Sequence, residues 1–180
     1  MQRLRLAALA ALCFAAAPAG AQTDASVIPD DAPDWLPFAE AVQVARADSS
    51  ILLVHLYAKW CGWCVRLDQD VYTDDAVQDY LGDHYVLTRV DIEGEETVPF
   101  FGRDMAERDL ASAFQVTGTP TTVFIGPDGT YLTKLPGYAP ADQFALILRY
   151  VGEGAYNRMP FPTWVESLDL APTLENAGGG

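Results

Sequence analysis

Two cysteines, Cys61 and Cys64, stand where an apolar run gives way to a helix-like pattern in HLYAKWCGWCVRLDQ, residues 55–69. Three chemistries suit two thiols at this spacing: a fixed structural disulfide, a metal site, or a dithiol that cycles through its own disulfide. A fixed staple closing so short a loop restrains the unfolded chain least. A metal site would need His55 or His84 to join the two thiolates, and zinc sites ordinarily bring a second ligand pair at a recognisable spacing, which this sequence lacks. For a cycling pair the surroundings are apt. A strand running straight into Cys-x-x-Cys at a helix start presents the first, exposed sulfur to the unpaired amides and positive dipole end of the helix, which stabilise thiolate over thiol. Cys61 is therefore expected to be the nucleophile. Cys64, one helical turn on and further inside, is placed to attack the mixed disulfide that Cys61 forms and to release a reduced substrate. Trp60 and Trp63 flank the pair and either shield it or offer a flat apolar surface to a partner.

The elements that position this pair can be read from hydrophobic period. Phe38, Val42 and Ala45 recur at helical spacing in LPFAEAVQVARAD, and ILLVHLYA is a near-continuous apolar run of strand length, as for a parallel strand covered on both faces. After the cysteines, Leu67, Val71, Val77 and Leu81 predict a helix that breaks near Tyr72 and resumes at Thr73, whose hydroxyl would cap it. HYVLTRVDI reads as a second strand, EGEETVPFFGR as a loop, and DMAERDLASAFQV as a helix carrying Met105, Leu110, Ala113 and Phe114. TPTTVFIG and TYLTKLPG, joined by the Pro127–Gly129 turn, predict an antiparallel hairpin, and PADQFALILRYVGEG a last helix with Phe144, Ile147, Leu148 and Val151 buried. The order is a βαβ start and a ββα finish: an α/β fold with a central mixed sheet and helices on both faces. Residues 155–170 read as an irregular extension packed along the domain, and the closing ENAGGG as disordered.

Arg3 and Arg5 ahead of an Ala/Leu-rich run to about Ala17, followed by small residues at Ala19 and Ala21, read as an export signal over residues 1–21. Cys13 would leave with it; a lipid-modified Cys13 is the alternative, disfavoured by Leu12 before it and by the apolar run beyond it. Two cysteines then remain, too few for a disulfide scaffold, so stability must come from an ordinary core, which a chain half apolar can furnish. Residues 22–35 form a flexible lead-in, 36–152 one domain, and 153–180 the C-terminal extension. The chain carries 11 basic and 25 acidic residues, a net charge of −14, and loss of Arg3 and Arg5 takes it to −16. So acidic a surface argues against nucleic acid or an anionic membrane as partner. No later stretch reaches the length of a membrane span, so no stable insertion is expected.

YAKWCGWC, then TGTPTTVFIGPDG ending in GY, resembles the thioredoxin superfamily over residues 36–152. Among its branches the sequence is similar to exported thioredoxin-like proteins, including the reductase domain of DsbD and the thioredoxins of sulfur-oxidation systems. The resemblance implies that Pro120 is cis beside the disulfide, that Thr119 backbone groups pair with substrate, and that Gly137 lets substrate backbone approach. It adds Gly62 and the two tryptophans to the substrate-facing set. It implies a periplasmic thiol-disulfide oxidoreductase that reduces disulfides in exported proteins, is recharged by a membrane-embedded thiol donor, and needs no cofactor or metal. A binding or assembly module without turnover, or a net oxidant, are the alternatives. Three departures stand out. Gly-Trp replaces the Gly-Pro between the cysteines of ordinary thioredoxins, so their potential does not carry over. His55 stands where they have a buried acid, which makes it a candidate general base for Cys64. The segment between Cys64 and Pro120 is longer than theirs by roughly fifteen residues, with EGEETVPFFGR as the insertion.

Overall fold

The strand ILLVHLY is buried along almost its whole length, and the rest of the fold is arranged around it. The structure, a computed structural model, describes residues 28–168. The expected signal, the start of the lead-in and the C-terminal end expected to be disordered lie outside the described residues. Chain order runs α1 (Phe38–Asp48), β1 (Ile51–Tyr57), α2 (Gly62–Asp70), α3 (Asp75–His84), β2 (Tyr85–Asp91), β3 (Thr97–Phe100), β4 (Arg103–Ala106), α4 (Glu107–Ala113), β5 (Thr121–Ile125), β6 (Tyr131–Pro136) and α5 (Ala141–Gly152). The main sheet has the order β2-β1-β5-β6, with β1 parallel to β2 and antiparallel to β5, and β5 antiparallel to β6. This is the expected mixed sheet.

Alternation along β1 divides the core in two. Leu52, Val54 and Leu56 face Phe38, Ala41, Val42 and Ala45 of α1 and Leu110 of α4. Leu53 faces Leu67 of α2, Val77 and Leu81 of α3, and Phe144, Leu148 and Val151 of α5. The period-2 arrangement of strand side chains makes the two layers possible, since residues on alternate faces of one strand seed both. His55 shares the second face with Leu53 and packs against Tyr72.

Four local expectations change. The helix after the cysteines does break at Tyr72, whose ring turns fully into the core against Trp35 (4.9 Å) and Phe144 (5.5 Å). It restarts on Asp74 rather than Thr73: the Asp74 carboxylate accepts the Val77 amide at 3.1 Å, while the Thr73 hydroxyl donates to the Gln69 carbonyl at 2.5 Å. A carboxylate at a helix N-terminus also meets the favourable end of the dipole, so Asp outcompetes its neighbour. EGEETVPFFGR is no plain loop. Thr97–Phe100 and Arg103–Ala106 form an antiparallel hairpin, turned by Phe101 (φ 46°) and Gly102 (φ 89°). Phe100 anchors it on Phe38 (6.1 Å) and Phe114 (5.5 Å), so the reason for the hairpin lies in residues far away in sequence. Because Arg103–Ala106 is strand, α4 begins at Glu107, three residues later than the apolar pattern implied.

The stretch expected to be irregular after α5 is ordered into a 3-10 turn at Ala155–Asn157 and a helical run over 161–168. Trp164 is buried there, 5.5 Å from the Tyr150 ring and 5.7 Å from the Arg149 guanidinium, and with Phe161, 5.3 Å from Tyr150, it clamps the extension to α5. At the other end, Leu36 bridges to Thr88 and the Asp31 carbonyl accepts from Gln78, bringing Trp35 against the second core.

Candidate active site

Cys61 is the N-cap of α2, and Cys64 lies in the first turn. The Cys64 amide donates to Cys61 Sγ at 3.1 Å, and the two sulfurs are joined as a disulfide with a Cα–Cα distance of 5.3 Å. The cap is a sulfur where helices usually place an oxygen, and the Cys64 amide is shared between it and the Cys61 carbonyl at 3.0 Å. The expectation of an exposed first sulfur is not met. Cys61 is 4% exposed and Cys64 2%, both packed with Ala58 and bordered by Tyr57 and Ile92. What separates the two cysteines is the helix end, not access: only Cys61 occupies the cap.

The tryptophans do stand out. Trp60 is 66% exposed and Trp63 57%, the most exposed large apolar side chains beside the disulfide. Trp63 lies 5.4 Å from the Tyr138 ring, and the Arg66 guanidinium sits over both rings at 5.7 and 5.9 Å. Tyr138 and Arg66 were not among the candidates from sequence. Tyr138 follows Gly137, and Arg66 follows Cys64 by two positions; the fold joins them through one aromatic contact. Gly62 is open on its Cβ side, with nothing within 4 Å.

Strand register brings the remaining candidates to the same end of the sheet. Leu56 of β1 pairs with Thr121 of β5, so Thr119 and Pro120 run beside the segment leading into Cys61. The Thr119–Pro120 peptide bond is cis. Thr121 pairs in turn with Pro136, and the Gly137 amide donates to the Pro120 carbonyl at 2.8 Å. Gly137 has φ 82°, a left-handed conformation that side chains other than glycine adopt at a cost. Cys61, Cys64, Thr119, Pro120 and Gly137 therefore surround one edge, with the Trp63–Tyr138 contact spanning it.

His55, on β1, is fully buried. It is flanked across the sheet by Arg89 of β2 and Thr122 of β5, in direct register with both, which makes a polar row through an otherwise apolar layer. Asp68, one turn beyond Cys64 on α2, comes down onto this row. One of its carboxylate oxygens accepts from Arg89 Nη2 at 2.7 Å, and the other is 3.8 Å from His55 Nε2. Burial first, then the Arg89 charge, pushes the His55 pKa well below its ordinary 6.5, so the imidazole is neutral near neutral pH. Burial raises the Asp68 pKa, and the Arg89 guanidinium offsets part of that rise. The Tyr72 hydroxyl, also buried, is held far up by desolvation and stays protonated. Among the described residues no group of three or more His, Cys, Asp and Glu side chains is arranged to hold a metal ion.

A family model described as a thioredoxin-like domain matches residues 38–152, which is the span from α1 to α5 that builds this edge. The chain belongs to the thioredoxin-like domain family. Among known proteins this thioredoxin-like domain is similar to the disulfide bond reductase DsbH of Chlamydia pneumoniae, at 26% identity over 114 residues, 63% of this chain and 68% of DsbH. It is also similar to the thiol:disulfide interchange protein DsbD of Ralstonia nicotianae, at 30% identity over 135 residues, 74% of this chain but 21% of DsbD. It thus spans about a fifth of that relative. Among solved structures, a thioredoxin-fold protein from Helicobacter pylori superposes with a TM-score of 0.61 at 23% identity, covering 67% of this chain and 82% of that one. A thioredoxin from Thermus thermophilus gives 0.55 at 28% identity, covering 67% and 87%. The protein is a thioredoxin-like thiol-disulfide oxidoreductase with a disulfide-bonded Cys-x-x-Cys pair.

Proposed function

We propose that the protein reduces disulfides in exported proteins of the periplasm, with Cys61 as nucleophile and Cys64 as resolving thiol. The observation that carries this reading is the amide of Cys64 donating to Cys61 Sγ at the cap of α2. In the reduced protein a thiolate at Cys61 takes over that hydrogen bond and gains from its charge. The Cys61 thiolate attacks one sulfur of a substrate disulfide, forming a mixed disulfide and expelling the other substrate sulfur as thiolate. The Cys64 thiolate then attacks Cys61 Sγ, closing the Cys61–Cys64 disulfide and releasing the second substrate thiolate. His55, neutral and buried, accepts the Cys64 proton in this scheme. Substrate backbone lies along Thr119, Pro120 and Gly137, and Trp60, Gly62 and Trp63 form the flat surface around the nucleophile.

Export is supported by the reading of residues 1–21 as a signal, and no helix among the described residues is long and apolar enough to cross a membrane. Each cycle leaves the protein oxidised, so a dithiol donor must return two electrons. In a periplasm kept oxidising, those electrons have to come through the membrane, and likeness to part of DsbD favours a membrane-embedded thiol carrier as their source. The test is disulfide reduction in insulin with dithiothreitol as donor, together with the equilibrium potential of the pair against glutathione. Accelerated reduction and a potential near that of thioredoxin, about −270 mV, are expected. A protein that accelerates nothing, or a pair poised near DsbA at about −120 mV, refutes the reductive reading.

A further inference from the structure

Arg89 is an arginine in the middle of a buried strand, and its surroundings are built to hold it. Its guanidinium lies over the Tyr57 ring at 4.5 Å and the Trp35 ring at 5.4 Å, and Nη2 donates to Asp68 at 2.7 Å. Its side chain is 8% exposed, so the charge is screened little by solvent. It stands in register with His55 on the neighbouring strand. The titratable groups facing His55 are Asp68 from α2, Arg89 from β2, Tyr57 from its own strand and Tyr72 from the turn after α2. Trp35 and Thr122 complete the surroundings without charge.

Two opposite charges therefore compete for one imidazole. An ionised Asp68 at 3.8 Å would by itself favour a protonated His55, since an opposite charge within about 4–6 Å stabilises the charged form. A protonated imidazole cannot accept a proton from a thiol. Burial of His55 already opposes a positive charge, and the guanidinium adds to it in two ways: it takes one Asp68 oxygen as a direct partner, and it repels a positive charge on the adjacent strand. Contact with the Tyr57 and Trp35 rings holds it where both effects act together.

We propose that Arg89 is a positioning residue for the thiol-disulfide reaction: by binding Asp68 and facing His55 it keeps the buried imidazole, the proposed acceptor of the Cys64 proton, in its proton-accepting form. This rests on the reading of the cysteine pair as a turnover site with His55 as acceptor. Arg89 touches neither sulfur; it acts through Asp68 and His55. Removing its charge should convert the His55–Asp68 contact into an imidazolium–carboxylate pair and deprive Cys64 of its base in mildly acid solution, while leaving the first attack by Cys61 in place.

The experiment follows the two histidines of the chain by NMR, His55 as the probe and exposed His84 as internal reference, in the mature protein. Single-turnover resolution of a Cys61 mixed disulfide with glutathione is measured in parallel across pH. Arg89→Gln, which keeps hydrogen-bonding capacity and loses charge, is expected to raise the pH at which His55 titrates by about one unit or more. The acid limb of the resolution rate should move with it, with little change at pH 8. Arg89→Met asks the same question if the glutamine variant does not fold. Arg89→Lys keeps the charge and should keep the wild-type curves, and Asp68→Asn combined with Arg89→Gln should bring His55 back down although more contacts are lost. A neutral Arg89 variant whose His55 curve superposes on wild type overturns the proposal, as does a double variant that stays raised. If wild type itself does not resolve the mixed disulfide, the turnover reading falls and takes the proposed role with it, while the NMR arm still reports separately whether Arg89 controls His55.

Discussion

Replacing His55 by leucine is expected to make folding stability less dependent on pH on the acid side of neutrality. In the native protein His55 is fully buried and its pKa lies well below 6.5, whereas in the unfolded chain it titrates near about 6.5. Between those two values the unfolded state binds a proton that the folded state refuses, and by linkage stability falls as pH falls. The effect begins as pH drops through about 6.5 and steepens to about 1.4 kcal/mol per pH unit below it. Integrated from pH 7.5 to pH 5.5, one such histidine removes about 1.4 kcal/mol, equivalent to a few degrees in Tm for a domain of this size. Other groups contribute to the total pH dependence, but those unaffected by the substitution cancel when the change in wild type is subtracted from the change in His55→Leu. Urea titrations of both oxidised proteins at pH 7.5 and 5.5 give that difference directly. The competing arrangement is an ion pair between protonated His55 and Asp68, which would raise the folded pKa and make His55 stabilise the protein as pH falls. A difference near zero, or one of opposite sign, refutes the neutral imidazole and with it the assignment of His55 as proton acceptor.

Cys64→Ser is expected to accumulate mixed disulfides through Cys61, visible as thiol-sensitive adducts on non-reducing gels, and Cys61→Ser to trap none; equal trapping by both overturns the assignment of roles. In single-turnover kinetics His55→Leu should slow resolution by about 10²-fold with the first attack near normal, and an unchanged resolution rate leaves His55 as packing alone. Gly137→Ala forces a side chain into φ 82° and is expected to cost about 1–2 kcal/mol in denaturant unfolding, with the Pro120 carbonyl losing alignment to its amide partner. Trp164→Ala should remove about 3 kcal/mol or more and raise hydrogen exchange along Tyr150 and the helical run over 161–168; a loss below 1 kcal/mol means that the clamp on α5 is ornamental.

The chemistry was legible where it depends on neighbours in the chain. Cys61, Gly62, Trp63 and Cys64 sit within one helical turn, and a strand leading into them already implies a sulfur at a helix N-terminus. The alternation of β1 and the 3.6-residue period of α1 and α5 were equally local, and they specified which faces are apolar and hence two layers of helix about a sheet. Thr119, Pro120 and Gly137 were reached only through a resemblance, because no local rule says that three segments separated by dozens of residues end at one edge. Strand register decides that.

The misread elements share one physical cause. The Thr97–Ala106 hairpin has glycine, proline and charge through it, and its strand character comes from Phe100 packing on Phe38 and Phe114. The helical run over 161–168 is held by Phe161 and Trp164 on Tyr150. Asp74 displaced Thr73 as cap through a geometric competition that composition does not rank. The polar row of His55, Arg89 and Asp68 shows the same division. By itself the sequence determined that a histidine stands six residues before Cys61 in an apolar strand. That Asp68 of α2 and an arginine from a neighbouring strand, held over the Tyr57 and Trp35 rings, complete the set was decided by tertiary structure alone. A charge in a strand reads as a solvent-facing residue until long-range packing removes the solvent, and burial, which turns Arg89, Asp68 and His55 into one electrostatic unit, is a property of the whole fold and of no segment within it.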